Sequence, residues 1–244
     1  MIHGKRSVLF AAAVTMMFCQ TQICFAQRHR RHTDNKWKEH FQIGDCTFST
    51  AGQNKFFILY PGYQLEYDGK ENNKRTHLTI TVLNETVKIG NIETRIVEEK
   101  ETSNNALTEI SRNYFAICTK TQDVYYFGED VDLYDGNKMK GHTGSWRAFS
   151  NGAEPGLMMP GTVRVGTKYY QESAPGVAMD RVEVNRDTHT IKTPAANFKH
   201  CLLVKETSPL EPGKKEYKIY APGVGLVKDG ELLLVKYGYT SANH

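Results

Sequence analysis

Among its 244 residues the chain carries 31 Lys and Arg against 27 Asp and Glu, a formal net charge of +4, and 11% of it is aromatic. So small an excess of positive charge argues against a nucleic-acid binder. A chain of this length buries enough surface to fold without a metal or a disulfide, and beyond the first 26 residues no stretch is apolar enough to cross a bilayer as a helix.

The N-terminus reads first as an address. Lys5 and Arg6 supply a positive n-region, Ser7 to Phe18 form a short apolar run, and Cys24-Phe25-Ala26 puts a small residue at each position a signal peptidase inspects. Lipidation at Cys19 or Cys24 would require a small residue just before the cysteine, where Met16-Met17-Phe18 and Thr21-Gln22-Ile23 stand instead. Residues 1–26 are therefore expected to be a cleaved signal peptide, and the protein periplasmic or secreted. Removing 26 of 244 residues leaves 218, a single domain.

Gln27 to His40 (QRHRRHTDNKWKEH) opens the mature chain with five basic residues, two acidic ones and three histidines. Residues 27–55 read as a basic, partly disordered lead-in. Contact with an anionic surface, or a weak metal site through His29, His32 and His40, stays open beside that reading.

From Phe56 to the end the apolar period is two. Thr76–Val82 (THLTITV) sets Leu78, Ile80 and Val82 on one face. Ile92–Glu98, Leu107–Cys118 and Val124–Phe127 are rich in β-branched and aromatic residues, as strands are. Trp146–Phe149, Lys168–Glu172, Met179–Asn185, Thr188–Lys192, Cys201–Glu206 and Glu216–Tyr220 continue the pattern. Gly225–Val227 and Glu231–Lys236 flank Asp229-Gly230, a hairpin signal. Six of the eight prolines precede a glycine, at Pro61, Pro155, Pro160, Pro175, Pro212 and Pro222. Each pair suits a type II turn, since proline presets the first φ and glycine supplies the positive second one. Ala174-Pro175-Gly176-Val177 recurs as Ala221-Pro222-Gly223-Val224, a reused corner. Gly141 to Gly166 is the least regular stretch and reads as an ordered loop. The expected fold is all-β: one antiparallel, strongly curved sheet of roughly ten to twelve strands over residues 56–244, closing to a barrel or half-barrel.

Export puts the three remaining cysteines where disulfides persist. Cys118 and Cys201 both lie in strand-like runs, so the expected pair is Cys118–Cys201, with Cys46 free or bridging between chains.

A set of motifs stands out in order. Phe57-Ile58-Leu59-Tyr60-Pro61-Gly62 is followed by Ser111-Arg112-Asn113-Tyr114-Phe115-Ala116, then Tyr126-Phe127-Gly128-Glu129-Asp130-Val131-Asp132. Pro155-Gly156-Leu157-Met158-Met159-Pro160 and Tyr170-Gln171-Glu172-Ser173-Ala174-Pro175-Gly176-Val177-Ala178 come next. Glu206-Thr207-Ser208-Pro209-Leu210-Glu211 and Glu216-Tyr217-Lys218-Ile219-Tyr220-Ala221-Pro222-Gly223-Val224-Gly225-Leu226 complete the series. Over residues 56–238 the chain resembles a family of exported bacterial β-rich proteins with no established activity, so the resemblance transfers no catalytic residue. The terminal segment is similar, as a fold-level analogy, to periplasmic LolA-like proteins with a curled sheet.

Candidate chemistry is sparse. Asp130, Asp132 and Asp135, with Glu129, form an oxygen-rich run that suits Ca²⁺ but lacks EF-hand spacing. A solvated acidic hairpin without metal is the plainer reading. Met139, His142, Met158, Met159, Met179 and Cys201 are soft donors without a copper-binding array. Glu172, Asp180, Glu206 and Glu211 would serve hydrolysis only if two of them met in a cleft, and no hydrolase motif is present. No cofactor is expected.

The aromatic strands suggest more. A curled sheet lined by Tyr and Phe holds an apolar ligand, although the same rings also fill a core. The leading expectation is an envelope protein that binds or carries an apolar small molecule or lipid. Trp146, Leu157, Met158 and Met159 of the 141–166 loop would then form its lid. The alternatives are a structural module that engages another envelope protein, and an enzyme with an unrecognised site.

Overall fold

The structure is a computed structural model that describes residues 36–136 and 138–240. The expected signal peptide, together with His29 and His32 of the lead-in, lies outside the described residues. Among the described residues the chain forms seventeen strands and no helix.

Three two-residue strands come first: β1 (Phe48–Ser49), β2 (Gln53–Asn54) and β3 (Phe57–Ile58). A meander follows, of β4 (Tyr63–Glu71), β5 (Lys74–Ile89), β6 (Ile92–Ser103), β7 (Ala106–Cys118) and β8 (Val124–Asp135). The middle holds β9 (Lys138–Gly141), β10 (Trp146–Arg147), β11 (Gly156–Met159) and β12 (Lys168–Tyr170). A second meander ends the chain: β13 (Arg181–Lys192), β14 (Asn197–Thr207), β15 (Glu216–Ala221), β16 (Gly225–Asp229) and β17 (Leu232–Tyr239).

Fifteen strands make one antiparallel sheet. Its path runs β10-β8-β7-β6-β5-β4-β17-β16-β15-β14-β13-β12, with β1 on β7 and with β9 and β11 on β8. The last strand joins the two meanders, since β17 pairs with β4 from Leu233 opposite Asp68 to Tyr239 opposite Tyr63. β10 and β12, at the ends of the path, are not hydrogen-bonded to each other. The ladder is open there, and the two regions meet through an isolated bridge between Glu154 and Ser173 and a Gln171 side-chain bond to the Met158 carbonyl. The strand count exceeds the expected ten to twelve because stretches read as loops contain very short strands.

Local chemistry explains the hairpins. Two-residue turns between antiparallel strands need φ > 0 at both central positions, which Asn tolerates better than other residues that carry a Cβ. Asn72-Asn73 has φ of 48° and 64° between β4 and β5, and Asn104-Asn105 has 50° and 66° between β6 and β7. The Pro-Gly pairs divide into two kinds. Gly62, Gly176, Gly213 and Gly223 have φ of 72° to 93°. In each of those turns the following residue's N–H donates to the carbonyl three positions back, as from Val177 to Ala174 and from Val224 to Ala221. Gly156 and Gly161 are needed for another reason. A Cβ there would collide with the carbonyl oxygens of Gln171 and Thr121.

The segment from Lys36 to Phe48, expected as part of a loose lead-in, docks on the sheet. Trp37 lies under the Arg181 guanidinium at 4.3 Å from its ring centroid. Phe48 packs edge-on against Tyr125 and Phe127 at 5.7 and 5.4 Å. Successive strand residues face opposite ways, so this cover explains why Tyr114 to Cys118 are buried without interruption. Phe115 and Tyr126 meet on the other face, 4.6 Å apart.

The disulfide corrects the expected pairing. Phe48 on β1 sits opposite Cys118 on β7, and this brings Cys46 close enough to form Cys46–Cys118. Cys201 is a free, fully buried thiol on β14. Six strands of the path separate it from β7, which no reading of strand character alone could reveal. Unreduced peptide mapping should recover the Cys46–Cys118 bridge with Cys201 slow to alkylate until unfolding. Because the bridge spans 72 residues, Cys46→Ala should cost about 2–5 kcal/mol in denaturant unfolding.

Candidate functional site

One face of the sheet is not filled throughout. Leu65 of β4, Ile80 and Val82 of β5, Val97 of β6 and Phe115 of β7 form one side of a cavity, with Phe57 and Ile58 of β3. Met158 of β11 and the Val224-Gly225-Leu226 segment at the start of β16 complete the apolar lining. The cavity is small, with about 90 Å³ of usable space, below the range of drug-sized small-molecule sites. Tyr63 and Tyr67 donate their hydroxyls to the Val224 and Leu226 carbonyls, each at 2.9 Å, and so hold β16 in place.

One end of this space is polar. Glu99 of β6, Lys218 and Tyr220 of β15 and Asp229 of β16 line it there. Lys218 lies 3.3 Å from a carboxylate oxygen of Glu206 and 3.3 Å from Asp229 Oδ1. Burial pulls its ammonium down, but Asp229 and Glu206 outweigh that, and its pKa ends well above the ordinary lysine value. One cation cannot satisfy two buried carboxylates. Glu206 accordingly rises to about 7, driven by burial despite Lys218. Glu99 rises to about 8, first through burial and then through the nearby Asp229 charge. The Tyr220 hydroxyl, on a side chain only 2% exposed, has no partner in hydrogen-bonding geometry. Gln171 lies beside it, but its Nε2 donates to the Met158 carbonyl at 3.0 Å.

Beyond Glu99, Lys218 and Asp229 the space continues into a chamber walled by Glu71, Glu101, Glu109, Glu216, Leu78 and Leu232. Burial raises the carboxyls of Glu71, Glu109 and Glu216 above their ordinary values, and neighbouring acids add to the effect.

The residues singled out in the sequence fall elsewhere, with one exception. Trp146, Leu157 and Met159 are buried, on strands β10 and β11 that pair with β8. The expected lid is thus two sheet-bound strands, of which Met158 alone lines the cavity. Trp146 stacks edge-on against Tyr126 at 5.3 Å. Its indole N–H has no partner in hydrogen-bonding geometry, although the Glu129 carboxyl lies beside it.

Each aspartate of the acidic run is matched by a protein cation. Asp130 pairs with Arg147 at 2.6 Å, Asp132 with Arg112 at 3.4 Å, and Asp135 with Lys140 at 3.2 Å. The Arg147 hydrogen bond holds Asp130 below the usual carboxylate range. No three His, Cys, Asp or Glu among the described residues converge as a metal site, and Asp130, Asp132 and Asp135 are each engaged in a separate ion pair. His40 is bonded to Glu154 at 2.7 Å. Glu172, Asp180 and Glu206 do come within electrostatic reach of one another, and burial drives Glu172 well above its ordinary value. Asp180, Glu206 and Glu211 line one small open pocket, where Glu211 pairs with exposed Lys214 at 3.0 Å.

No family model, curated protein or solved structure matches this chain. The site is therefore read from its own geometry, and its polar end is what sequence reasoning missed. The signal was parity. Glu99 shares its strand face with buried Val97, and Glu216, Lys218 and Tyr220 alternate along β15. Charges at inward positions of a strand mark an interior that is not simply a core.

Two substitutions test this electrostatic account. Glu99 titrates at about 8 in the folded protein against 4.5 ordinarily, so the native state keeps a proton that the unfolded chain releases. Stability therefore falls as pH rises from 4.5 to 8, and the full penalty applies above that. Glu99→Gln should be more stable than the parent by about 1–3 kcal/mol at pH 8.5 and equal to it near pH 4.5, as read by urea unfolding. Lys218→Met should instead cost about 3–5 kcal/mol at neutral pH, because it leaves Glu206 and Asp229 without their cation.

Proposed function

We propose that this is an exported binding or carrier protein of the cell envelope that holds an apolar or amphipathic ligand in the cavity between β4–β7 and β15–β16. The observation that carries the reading is an apolar space left open beside a core that is otherwise tightly filled. Phe56, Leu59, Tyr67 and Phe127 are all at most 2% exposed, so the protein has the side chains to close a core and does not close it here. Removing a ligand's apolar surface from water is worth about 25 cal/mol per Å², and a preformed space avoids the cost of opening one.

A sheet that bends until two distant sets of strands line one space would be a half-barrel with the ligand on its concave side. The n-region and apolar run of residues 1–26 support export. A Cys46–Cys118 bridge suits an oxidising compartment. The likeness of the terminal segment to LolA-like sheets points the same way as a fold-level analogy.

The test uses the mature chain and a neutral hydrophobic fluorophore. The folded protein should bind it with increased emission. Val97→Trp, which places a large ring in the cavity, should weaken binding at least tenfold while far-UV circular dichroism stays β-like. A folded parent protein that binds no probe would sink the carrier reading and favour the envelope interaction module.

A further inference from the structure

We propose that the protein has a second binding site, a groove for a short, uncharged saccharide between the β2–β3 hairpin and the end of β7, with the Tyr60 ring as its stacking platform. Gln53, Asn54 and Lys55 of the hairpin line this groove, whereas its Phe57 and Ile58 line the apolar cavity. The two spaces share no residue, so the proposal stands apart from the carrier reading.

The groove is open on one side and offers about 520 Å³, within the span of roughly 300–1,000 Å³ usual for small-molecule sites. Its walls are fixed before any ligand arrives. Buried Ile117 and Cys118 belong to the lining, and the Cys46–Cys118 bridge ties down that end of β7. Tyr60 follows the fully buried Leu59 and precedes the Pro61-Gly62 turn, whose Gly62 N–H donates to the Val82 carbonyl at 2.8 Å. Tyr60 itself is 39% exposed, and its side chain has no hydrogen-bond or ring partner among the described residues. A ring presented on so fixed a backbone loses little freedom when a ligand stacks on it.

Charge decides the class of ligand. The lining holds no carboxylate, so an ammonium finds no counter-ion there. Lys55 is its one cation, with Nζ 4.9 Å from the Phe56 ring centroid, and a single exposed cation holds an anion weakly. The other groups are neutral and polar. Gln53 and Gln122 present amides that both donate and accept, and neither side chain bonds to another described residue. The Thr119 hydroxyl donates to the Thr47 carbonyl at 3.1 Å and keeps its lone pairs to accept. Sugar hydroxyls donate and accept in the same way, and the C–H face of a sugar ring covers the apolar face of an aromatic one.

Gln122 adds an independent observation. Its φ is 60°, a conformation that costs a residue with a Cβ and suits glycine. The backbone is pinned there from both sides: its N–H donates to the Cys118 carbonyl at 2.7 Å, and Asn54 Nδ2 donates to its carbonyl at 3.0 Å. Strain of this kind collects at functional sites, and here it keeps an amide at the groove where glycine would fold more easily.

The test titrates maltotriose, cellotriose and triacetylchitotriose into the purified, nitrogen-15-labelled protein at pH 7, with citrate and spermidine as charged controls. At least one trisaccharide should bind saturably at millimolar concentration or below, with amide shifts centred on residues 51–60 and 117–122. Tyr60→Ala should weaken that binding about tenfold or more. Gln122→Gly should weaken it about threefold or more while the midpoint of thermal unfolding holds or rises, a combination that a purely structural glutamine would not give. Failure of all three sugars to bind at millimolar concentration overturns the assignment. So does tighter binding of citrate or spermidine, or unchanged affinity in a folded Tyr60→Ala protein.

Discussion

The polar end of the cavity is arranged around one half-buried cation. Lys218 projects from β15 between Glu206 of β14 and Asp229 of β16, and the three strands hold their polar inner face together through that contact. A half-buried ion triad is at best a weak net stabiliser, since desolvation consumes most of its Coulombic attraction. Its effect is positional. It divides the interior into an apolar length on one side and a surplus of acids on the other, a division that hydrophobic contacts alone would not create.

Such an interior is tolerable only because stability is gained elsewhere. The outer face of β7 and β8 is sealed by Phe41, Phe48 and the Cys46–Cys118 bridge. Those strands are consequently buried on both sides, and Ala116, Cys118, Val124 and Phe127 reach zero exposure. A two-sided core under one half of the sheet offsets the small cavity on the other. The edge of β8 near Arg147 is tied down by Asp130 and Tyr114 in a shared hydrogen-bonded group.

The fold class was legible because period-two patterning is a local property. THLTITV and YFAIC announce strands whatever they pair with, and four of the six Pro-Gly pairs adopt the turn that their chemistry predicts. What escaped was set by distance along the chain. Asn72-Asn73 and Asn104-Asn105 are turn signals of the same kind as Asp229-Gly230 and were readable, yet charged or polar residues precede both and blur the strand ends there. Cys46 could not be matched to Cys118 without knowing that β1 lies on β7. Glu99, Lys218 and Asp229 come from three strands and acquire a common purpose only when the sheet brings them to one wall. Trp146 drew attention as a large aromatic in an irregular stretch, but its side chain fills a core position against Tyr126. Residue type revealed burial there and could not distinguish a lid from a wall.

The pairing of β17 with β4 also has a consequence in time. Tyr63 is among the first sheet residues to emerge and Tyr239 among the last, yet they sit opposite each other in one ladder. Until the final strand arrives, β4 offers bare amides and carbonyls along its whole length, the kind of edge that recruits strands from other molecules. Contacts of such high sequence separation also form slowly. The charges beside Leu65 and Tyr67, namely Glu66, Asp68, Lys70 and Glu71, therefore act during folding as well as after it, keeping a waiting edge soluble until its partner has been made.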